Sequence, residues 1–275
     1  MRGKPSWGTL LITLGLVVGS VIMLVPLYWM FVMSFRPKTE IFNLAAPIWP
    51  SRTSLEGFRT LFESYPVLRW IENTAVVAAI SSAITVSLSL LAGYAFAKLR
   101  FWGRDVLFVL FLSTIMVPIQ VIMVPEFFVL SWFHLLNSNW GVILPRCAEA
   151  FGIFMTRQFM LTIPDELIEA GRLDGASELG IFIRIVLPLC KPLIGVLLVF
   201  AVVWRWNDFA WPLVVFTDQA KFMLQVGLNY LKGDPNPDWN SIMALAVIAL
   251  TPMLILFLFC QRLFVQGIAG TGLKQ

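Results

Sequence analysis

Six stretches of this chain, each about 20 residues or longer and nearly free of charge, constrain its fold more than any other feature. They run from about Leu10 to Phe35, Asn73 to Ala97, Val106 to Phe133, Trp140 to Met160, Ile185 to Trp206 and Ser241 to Phe264. A bilayer's hydrocarbon core is about 30 Å thick, and a helix of roughly 20 apolar residues crosses it. Lipid cannot satisfy a backbone donor or acceptor, and nothing here alternates with the period of two that barrel strands need, so the spans are read as helices. Composition agrees: 59% of the 275 residues are hydrophobic and 13% are charged, against about 25% charged in soluble domains. The expected fold is an all-α membrane protein, a single transmembrane domain over 1–275 with six transmembrane helices. Two runs are imperfect, since Pro118, Pro125 and Glu126 interrupt the third and Arg146 and Glu149 sit within the fourth.

Lys and Arg in short connections orient the spans. Arg2 and Lys4 precede the first; Lys98, Arg100 and Arg104 crowd the link between the second and third; Arg157, Arg172, Arg184 and Lys191 flank the fourth-to-fifth link; Arg262 and Lys274 follow the sixth. All four regions are expected on the cytoplasmic side, with both termini cytoplasmic. The first run is too long for a signal h-region of about 7 to 15 residues and lacks a small-x-small cleavage site, so it is expected to remain as a span. The 36–70 loop argues the other way with Arg36, Lys38, Arg52, Arg59 and Arg69. Its prolines at 37, 47, 50 and 66 point to a folded extracytoplasmic cap.

Several chemistries are excluded. Cys147, Cys190 and Cys260 lie singly in apolar stretches, and His134 is the sole histidine, so neither a disulfide framework nor a Cys/His metal site is expected. No GxxxxGK[ST] loop or catalytic carboxylate–histidine cluster occurs, so ATP chemistry must come from another chain. The net charge of +4 reflects cations beside the spans and not a nucleic-acid partner.

The longest cytoplasmic link, 162–181, is the informative one. Thr162 is placed to cap a short helix whose first turn is acidic, and Gly175 to end it; a second amphipathic stretch, Glu178 to Ile185, then leads to Leu187-Pro188. An interfacial helix on lipid headgroups is the plain alternative. Its polar face is mainly acidic, however, and anionic lipid attracts Lys and Arg, which favours a protein partner.

Glu169-Ala170-Gly171, three residues, Gly175, nine residues, Ile185, one residue, Leu187-Pro188 resembles the EAA loop of ABC-importer membrane subunits, E-A-A-x3-G-x9-I-x-L-P. Only the third position departs, with glycine for alanine. The resemblance extends over nearly the whole chain to carbohydrate-importer permeases, the type similar to the smaller maltose-importer membrane subunit. It includes Pro26-Leu27-Tyr28-Trp29, Leu91-Ala92-Gly93-Tyr94-Ala95-Phe96-Ala97-Lys98, Trp206-Asn207-Asp208-Phe209-Ala210-Trp211-Pro212 and Gln261-Arg262-Leu263-Phe264-Val265-Gln266-Gly267.

The resemblance implies a type I ABC-importer permease fold whose EAA coupling helix seats on an ATP-binding subunit. Glu166, Glu169, Ala170, Gly171, Asp174 and Gly175 are the implied coupling residues, and the 265–275 tail, with Gly267, Gly270 and Lys274, is the implied contact between two ATPase subunits. ATP and Mg would belong to that ATPase dimer, with no cofactor in this chain. The other implied partners are a second permease subunit and an extracytoplasmic solute-binding protein. The implied location is a bacterial or archaeal cytoplasmic membrane, and the implied solute is a sugar, oligosaccharide, polyol or glycerol-phosphate type. An ion-coupled secondary transporter is the alternative; it would need midplane carboxylates and an inverted repeat, and Glu149 is the one buried acid expected.

Within the spans, Arg146 and Glu149 stand three apart and are expected either to pair along a pathway or to serve structurally at an interface. Trp206, Asn207, Asp208 and Trp211 suit a sugar ring or an interfacial aromatic belt. Gln120, beside a proline kink, is a pathway candidate. Ala75, Ala78, Ala79, Ser81, Ser82, Ala83, Ser87, Ser89, Ala92 and Gly93 in the second run read as close-packing positions, and His134 as a turn residue.

Overall fold

A computed structural model describes residues 7–43, 47, 49, 50 and 52–272, with side chains as far as Gln261. Among them every regular element is helical: α1 (Trp7–Ser34), α2 (Glu56–Ser64), α3 (Val67–Lys98), α4 (Arg104–Ser113), α5 (Ile119–Trp132), α6 (Asn139–Ile143), α7 (Ala150–Leu161), α8 (Asp165–Leu173), α9 (Glu178–Ile181), α10 (Leu187–Leu189), α11 (Lys191–Trp206), α12 (Ala210–Val215), α13 (Leu224–Lys232) and α14 (Trp239–Gly272). Arg2, Lys4 and Lys274 lie outside the described residues, and the side chain of Arg262 is likewise not described.

Among the described residues, α1, α3 and the Trp239–Gln261 part of α14 are long and apolar enough to cross a membrane as single helices. Two further candidates are bent. The α4–α5 pair turns by 103° at a break of no more than four residues, where Val117 is extended before Pro118. Proline removes a backbone donor and disfavours helical geometry in the residue before it. The stretch from Glu178 to Trp206 turns by 81° near Cys190, with Pro188 and Pro192 opening the helices on either side. The run from Trp140 to Met160, expected as one span, is instead two pieces: α6 passes through a 3-10 turn at Leu144–Arg146, and Glu149 is extended (φ −111°, ψ 127°) before α7.

The chain divides into two compact units, Met1–Val67 with Gly227–Pro252, and Leu68–Val226 with the residues from Met253 onward. In the first unit, described residues after α1 are tied to their neighbours. Arg36, 1% exposed, lies over the Trp29 ring at 5.7 Å and donates to the Pro47 carbonyl. Its own carbonyl accepts from Asn240 Nδ2 at 2.6 Å, and Lys38 pairs with Asp238 at 3.2 Å. Arg59 pairs with Glu63 one turn along α2. Arg36, Lys38 and Arg59 are therefore committed to local partners.

In the second unit, α3 presents a stripe of small residues: Ala78, Ser81, Ser82, Thr85 and Ser89 are all buried. Gly93 lies so close to α7 that an added Cβ would strike the Thr156 side chain and reach within 3.0 Å of the Arg157 nitrogen. Close packing, the role the sequence predicted for all ten small residues of this run, holds for Ala78, Ser81, Ser82, Ser89 and Gly93, whereas Ala75, Ala79, Ala83 and Ser87 are exposed. The loop before α13 is clipped to the start of α3, where Trp70 Nε1 donates to the Gln219 carbonyl at 2.7 Å and Leu224 N donates to Thr74 Oγ1 at 2.9 Å. His134 follows α5 in a left-handed turn conformation, φ 55°.

Candidate functional site

The segment from Ile163 to Val186 is built on two short helices with a tight turn. Thr162 does not cap α8 as expected. It continues the end of α7, donating from Oγ1 to the Phe159 carbonyl at 2.7 Å, and α8 begins after Pro164, whose ψ of 135° resets the chain direction. Asp165 and Glu166 occupy the first turn, where the helix dipole favours carboxylates. At the other end Gly175 has φ +77°, a conformation that costs residues with a Cβ. With it there, Ala176 N donates to the Gly171 carbonyl and Gly175 N to the Arg172 carbonyl, both at 3.0 Å, which satisfies carbonyls a helix end leaves open.

The faces of α8 differ sharply. Ile168 and Gly171 are buried, whereas Glu166, Glu169, Ala170, Asp174 and Gly175 are exposed. Leu173 is 89% exposed. A Cβ at Gly171 would lie 2.9 Å from Ile185 Cδ1 and 3.1 Å from Ile181 Cγ1. The residue that departs from the EAA pattern therefore points into the chain's own packing, where its missing methyl lets α8 lie close against α9.

Two polar ties hold α8, and the sequence reading missed both. Lys98 Nζ donates to Asp165 Oδ1 and to the Ile163 carbonyl, each at 2.6 Å. Arg172 Nε donates to Glu178 Oε1 at 2.6 Å while Tyr94 Oη donates to Glu178 Oε2 at 3.0 Å. The hydrogen bond from Lys98, reinforced by its charge, holds the Asp165 carboxyl below the usual carboxylate range, and the bond to Glu178 raises Arg172. For Arg172 and Glu178, opposite charges either side of the Gly175 turn were the available signal, whereas Lys98 and Asp165 stand 67 residues apart and no local pattern links them.

The charged residues within the spans form a second cluster, and here the expected pairing is corrected. Arg146 does not pair with Glu149. Arg146 grips the Glu126 carboxylate with both terminal nitrogens, at 3.1 and 3.2 Å, beneath a cation–π contact with Trp211 at 5.2 Å. Glu149 accepts from Arg205, which also donates to Ser81 Oγ at 3.0 Å and to the Arg146 carbonyl at 2.9 Å. The extended backbone at Glu149 is the cause, because it breaks the helical register that would have placed 146 and 149 on one face. Glu126 is thus a second half-buried acid beside Glu149, with 23% and 24% of their side chains exposed. Arg205, between two tryptophans near the end of a span, went unnoticed although a lone cation in such a position demands a partner.

Of the remaining candidates, Asp208 joins this cluster, interacting electrostatically with Arg146, Arg205 and Glu149 and accepting from the Trp211 backbone, while the others disperse. Gln120 is exposed in the first turn of α5, Trp206 is buried and Asn207 is exposed. Asn207 Nδ2 donates to the Val203 carbonyl at 2.8 Å, and Asp208 is half-buried. Trp211 is fully buried, its Nε1 donating to the Gly141 carbonyl at 3.1 Å, so its indole is committed to the fold. Gly267 and Gly270 lie within the helical backbone of α14; Lys274 is outside the described residues.

The architecture matches a chain in the crystal structure of a bacterial ABC transporter involved in the import of the acidic polysaccharide alginate, with a TM-score of 0.83 over 95% of this chain and 99% of that one at 21% identity. A bacterial alginate ABC transporter in complex with an alginate pentasaccharide-bound periplasmic protein matches with a TM-score of 0.64, over 90% and 92% of the two chains at 18% identity. In sequence, the arabinooligosaccharides transport system permease protein AraQ of Bacillus subtilis (strain 168) is 33% identical over 279 residues, covering 100% of this chain and 99% of that protein. The sn-glycerol-3-phosphate transport system permease protein UgpE of Escherichia coli O157:H7 is 32% identical, covering 98% and 99%. Residues 85–270 match the family of binding-protein-dependent transport system inner membrane components. The chain belongs to this family. In the permease, the matched region takes in α8 with its turn and Arg146, Glu149 and Arg205, while α1 and α2 lie before it.

Proposed function

We propose that the permease forms half of the translocation pathway of an ATP-driven importer for a sugar or a related polyol, oligosaccharide or glycerol-phosphate solute. The solutes named for the similar AraQ and UgpE proteins, and the alginate named for the structural neighbours, support that class. In this reading six spans cross a bacterial or archaeal cytoplasmic membrane with both termini inside, the fourth of them the broken region around α6 and α7. The 36–70 loop is extracytoplasmic, and 162–181 and 265–275 face the cytoplasm. A second permease subunit completes the pathway, an extracytoplasmic binding protein delivers the solute, and an ATPase dimer hydrolyses MgATP.

The observation that carries this reading is α8 itself. It exposes Glu166, Glu169, Ala170 and Leu173 while Ile168 and Gly171 anchor it to the chain's own core. An exposed face mixing carboxylates with a leucine side chain fits a protein groove better than anionic lipid. Glu169, Ala170, Asp174, Glu166 and Gly175 are the coupling residues, Gly171 sets the seat of α8, and Gly267, Gly270 and Lys274 belong to the tail contact. Arg146, Glu149, Gln120, Trp206, Asn207 and Asp208 are the pathway candidates. The family assignment disfavours ion-coupled transport.

Glu169→Lys reverses charge at the exposed face without touching a span. Expected is a complex that loses ATPase attachment or binding-protein-stimulated ATP hydrolysis while the permease stays folded; normal assembly and transport would overturn the coupling assignment. Screening the cognate binding protein against oligosaccharides, polyols and glycerol phosphates tests the solute class.

A further inference from the structure

We infer that the Glu178 carboxylate is the joint through which α3 follows the coupling helix, an inference that rests on the coupling role proposed for α8. The chain joins α8 directly to α7 through Thr162–Pro164, and to α11 through α9, the π-helical turn Phe182–Val186 and α10. It supplies no such connection to α3, whose contacts span 65 residues from Lys98 to Ile163, 67 from Lys98 to Asp165 and 84 from Tyr94 to Glu178.

Tyr94 and Lys98 are one helical turn apart at the end of α3, on one face. Lys98, with 4% of its side chain exposed, holds the beginning of α8 through Asp165 and the Ile163 carbonyl. Tyr94 reaches its far end through Glu178, whose two oxygens are divided between two elements, Oε1 taking the Arg172 guanidinium of α8 and Oε2 the Tyr94 hydroxyl of α3. Tyr94 is 4% exposed and its ring lies 5.2 Å from that of Phe182, so packing fixes the direction of the hydroxyl. The Arg172 bond, at 2.6 Å, has the short length of a charge-assisted bond, and the Tyr94 bond, at 3.0 Å, is longer. A grip at both ends makes a displacement of α8 a displacement of α3; a grip at one end leaves α8 free to pivot about Lys98. Glu178 is a positioning residue, because it acts through α3 and α8.

The test uses the assembled importer in nanodiscs, with Cys147, Cys190 and Cys260 replaced by alanine and spin labels on Ala176→Cys, just past the far end of α8, and Arg100→Cys, both exposed positions. Their separation is measured without nucleotide and after trapping with ATP and vanadate. Expected is an unchanged separation in the parent and a shift on trapping in both Tyr94→Phe and Glu178→Ala. The double variant should shift no further than the larger single, as for two members of one interaction. Tyr94→Phe deletes one hydroxyl and keeps the ring contact, so it separates co-movement from folding; a residue with a merely structural role would not make the separation depend on nucleotide. A shift in the parent, or none in Tyr94→Phe, overturns the joint. Glu169→Lys serves as the control for the underlying reading: if it leaves coupling intact, the coupling assignment itself fails, whereas if it uncouples while Tyr94→Phe shows no shift, only the joint fails.

Discussion

The Arg205 guanidinium donates to the Glu149 carboxylate across a sequence separation of 56 residues, tying the end of α11 to the residue that precedes α7. Arg205 is 4% exposed and holds Ser81 and the Arg146 carbonyl as well. Removing one member of a buried pair strands the other charge, a loss of about 3–5 kcal/mol. Arg205→Met is therefore expected to lower the thermal unfolding midpoint of the detergent-solubilised permease strongly. Arg205→Met with Glu149→Leu should cost clearly less than the sum of the two single changes; strict additivity would count against the pairing.

The α3–α7 approach predicts a contrast between two glycines. At Gly93 an alanine methyl meets Thr156 and the Arg157 backbone, whereas at Gly19 in α1 nothing lies within 4 Å. Overpacking of this kind costs about 1–3 kcal/mol. Gly93→Ala should measurably destabilise the permease and Gly19→Ala should leave its unfolding transition unchanged. Equal effects would mean that α3 and α7 do not pack this closely.

Gly175 closes α8 with positive φ, which an L residue with a Cβ adopts at a cost of about 1–2 kcal/mol. Gly175→Ala is expected to speed amide hydrogen exchange at Gly175 and Ala176, the two donors of the closing turn. Gly175→Asn should recover part of the protection because asparagine tolerates this conformation. Equal protection in all three proteins would count against the turn.

The Lys98–Asp165 tie carries its own pH dependence. The Lys98 hydrogen bond, its charge and the more distant cations Arg100 and Arg172 lower the Asp165 carboxyl. A depressed carboxyl contributes stability that is complete above the unfolded-state value of about 3.9 and is lost as pH falls through the lower folded-state value. Exchange protection at the start of α8 should therefore hold from pH 7 to 5 and weaken only below about pH 4. Asp165→Asn should remove that acid-sensitive component. A loss centred near pH 6 would point to a different group.

Much of this permease could be read in one dimension. The apolar runs around α1, α3 and α14, the small-residue stripe of α3, the glycine that ends α8 and the fixed gaps from Glu169 to Pro188 all rest on local chemistry, because a residue's hydropathy, its Cβ or its ring acts where it stands. Pro118 also marked the bend between α4 and α5, though not its angle of 103°. The angle depends on what each half-helix packs against.

Tertiary structure decided the partners. Arg146 and Glu149 were suitably spaced for one another on an unbroken helix, yet an extended residue at 149 sent one to Glu126 and the other to Arg205. Gly171 was implied as a coupling residue by its place in the motif, and only the fold put Ile181 and Ile185 beside it. Glu178 carried no motif at all, and only the folding of α3 back against α8 put a tyrosine and an arginine on its two oxygens. Sequence alone determined that the chain is a helical membrane protein with one acidic protrusion, since burial in lipid is a property of each stretch. Which charges neutralise one another, and so which helices are bound to move together, depends on distances between residues far apart in the chain, and those exist only once it has folded.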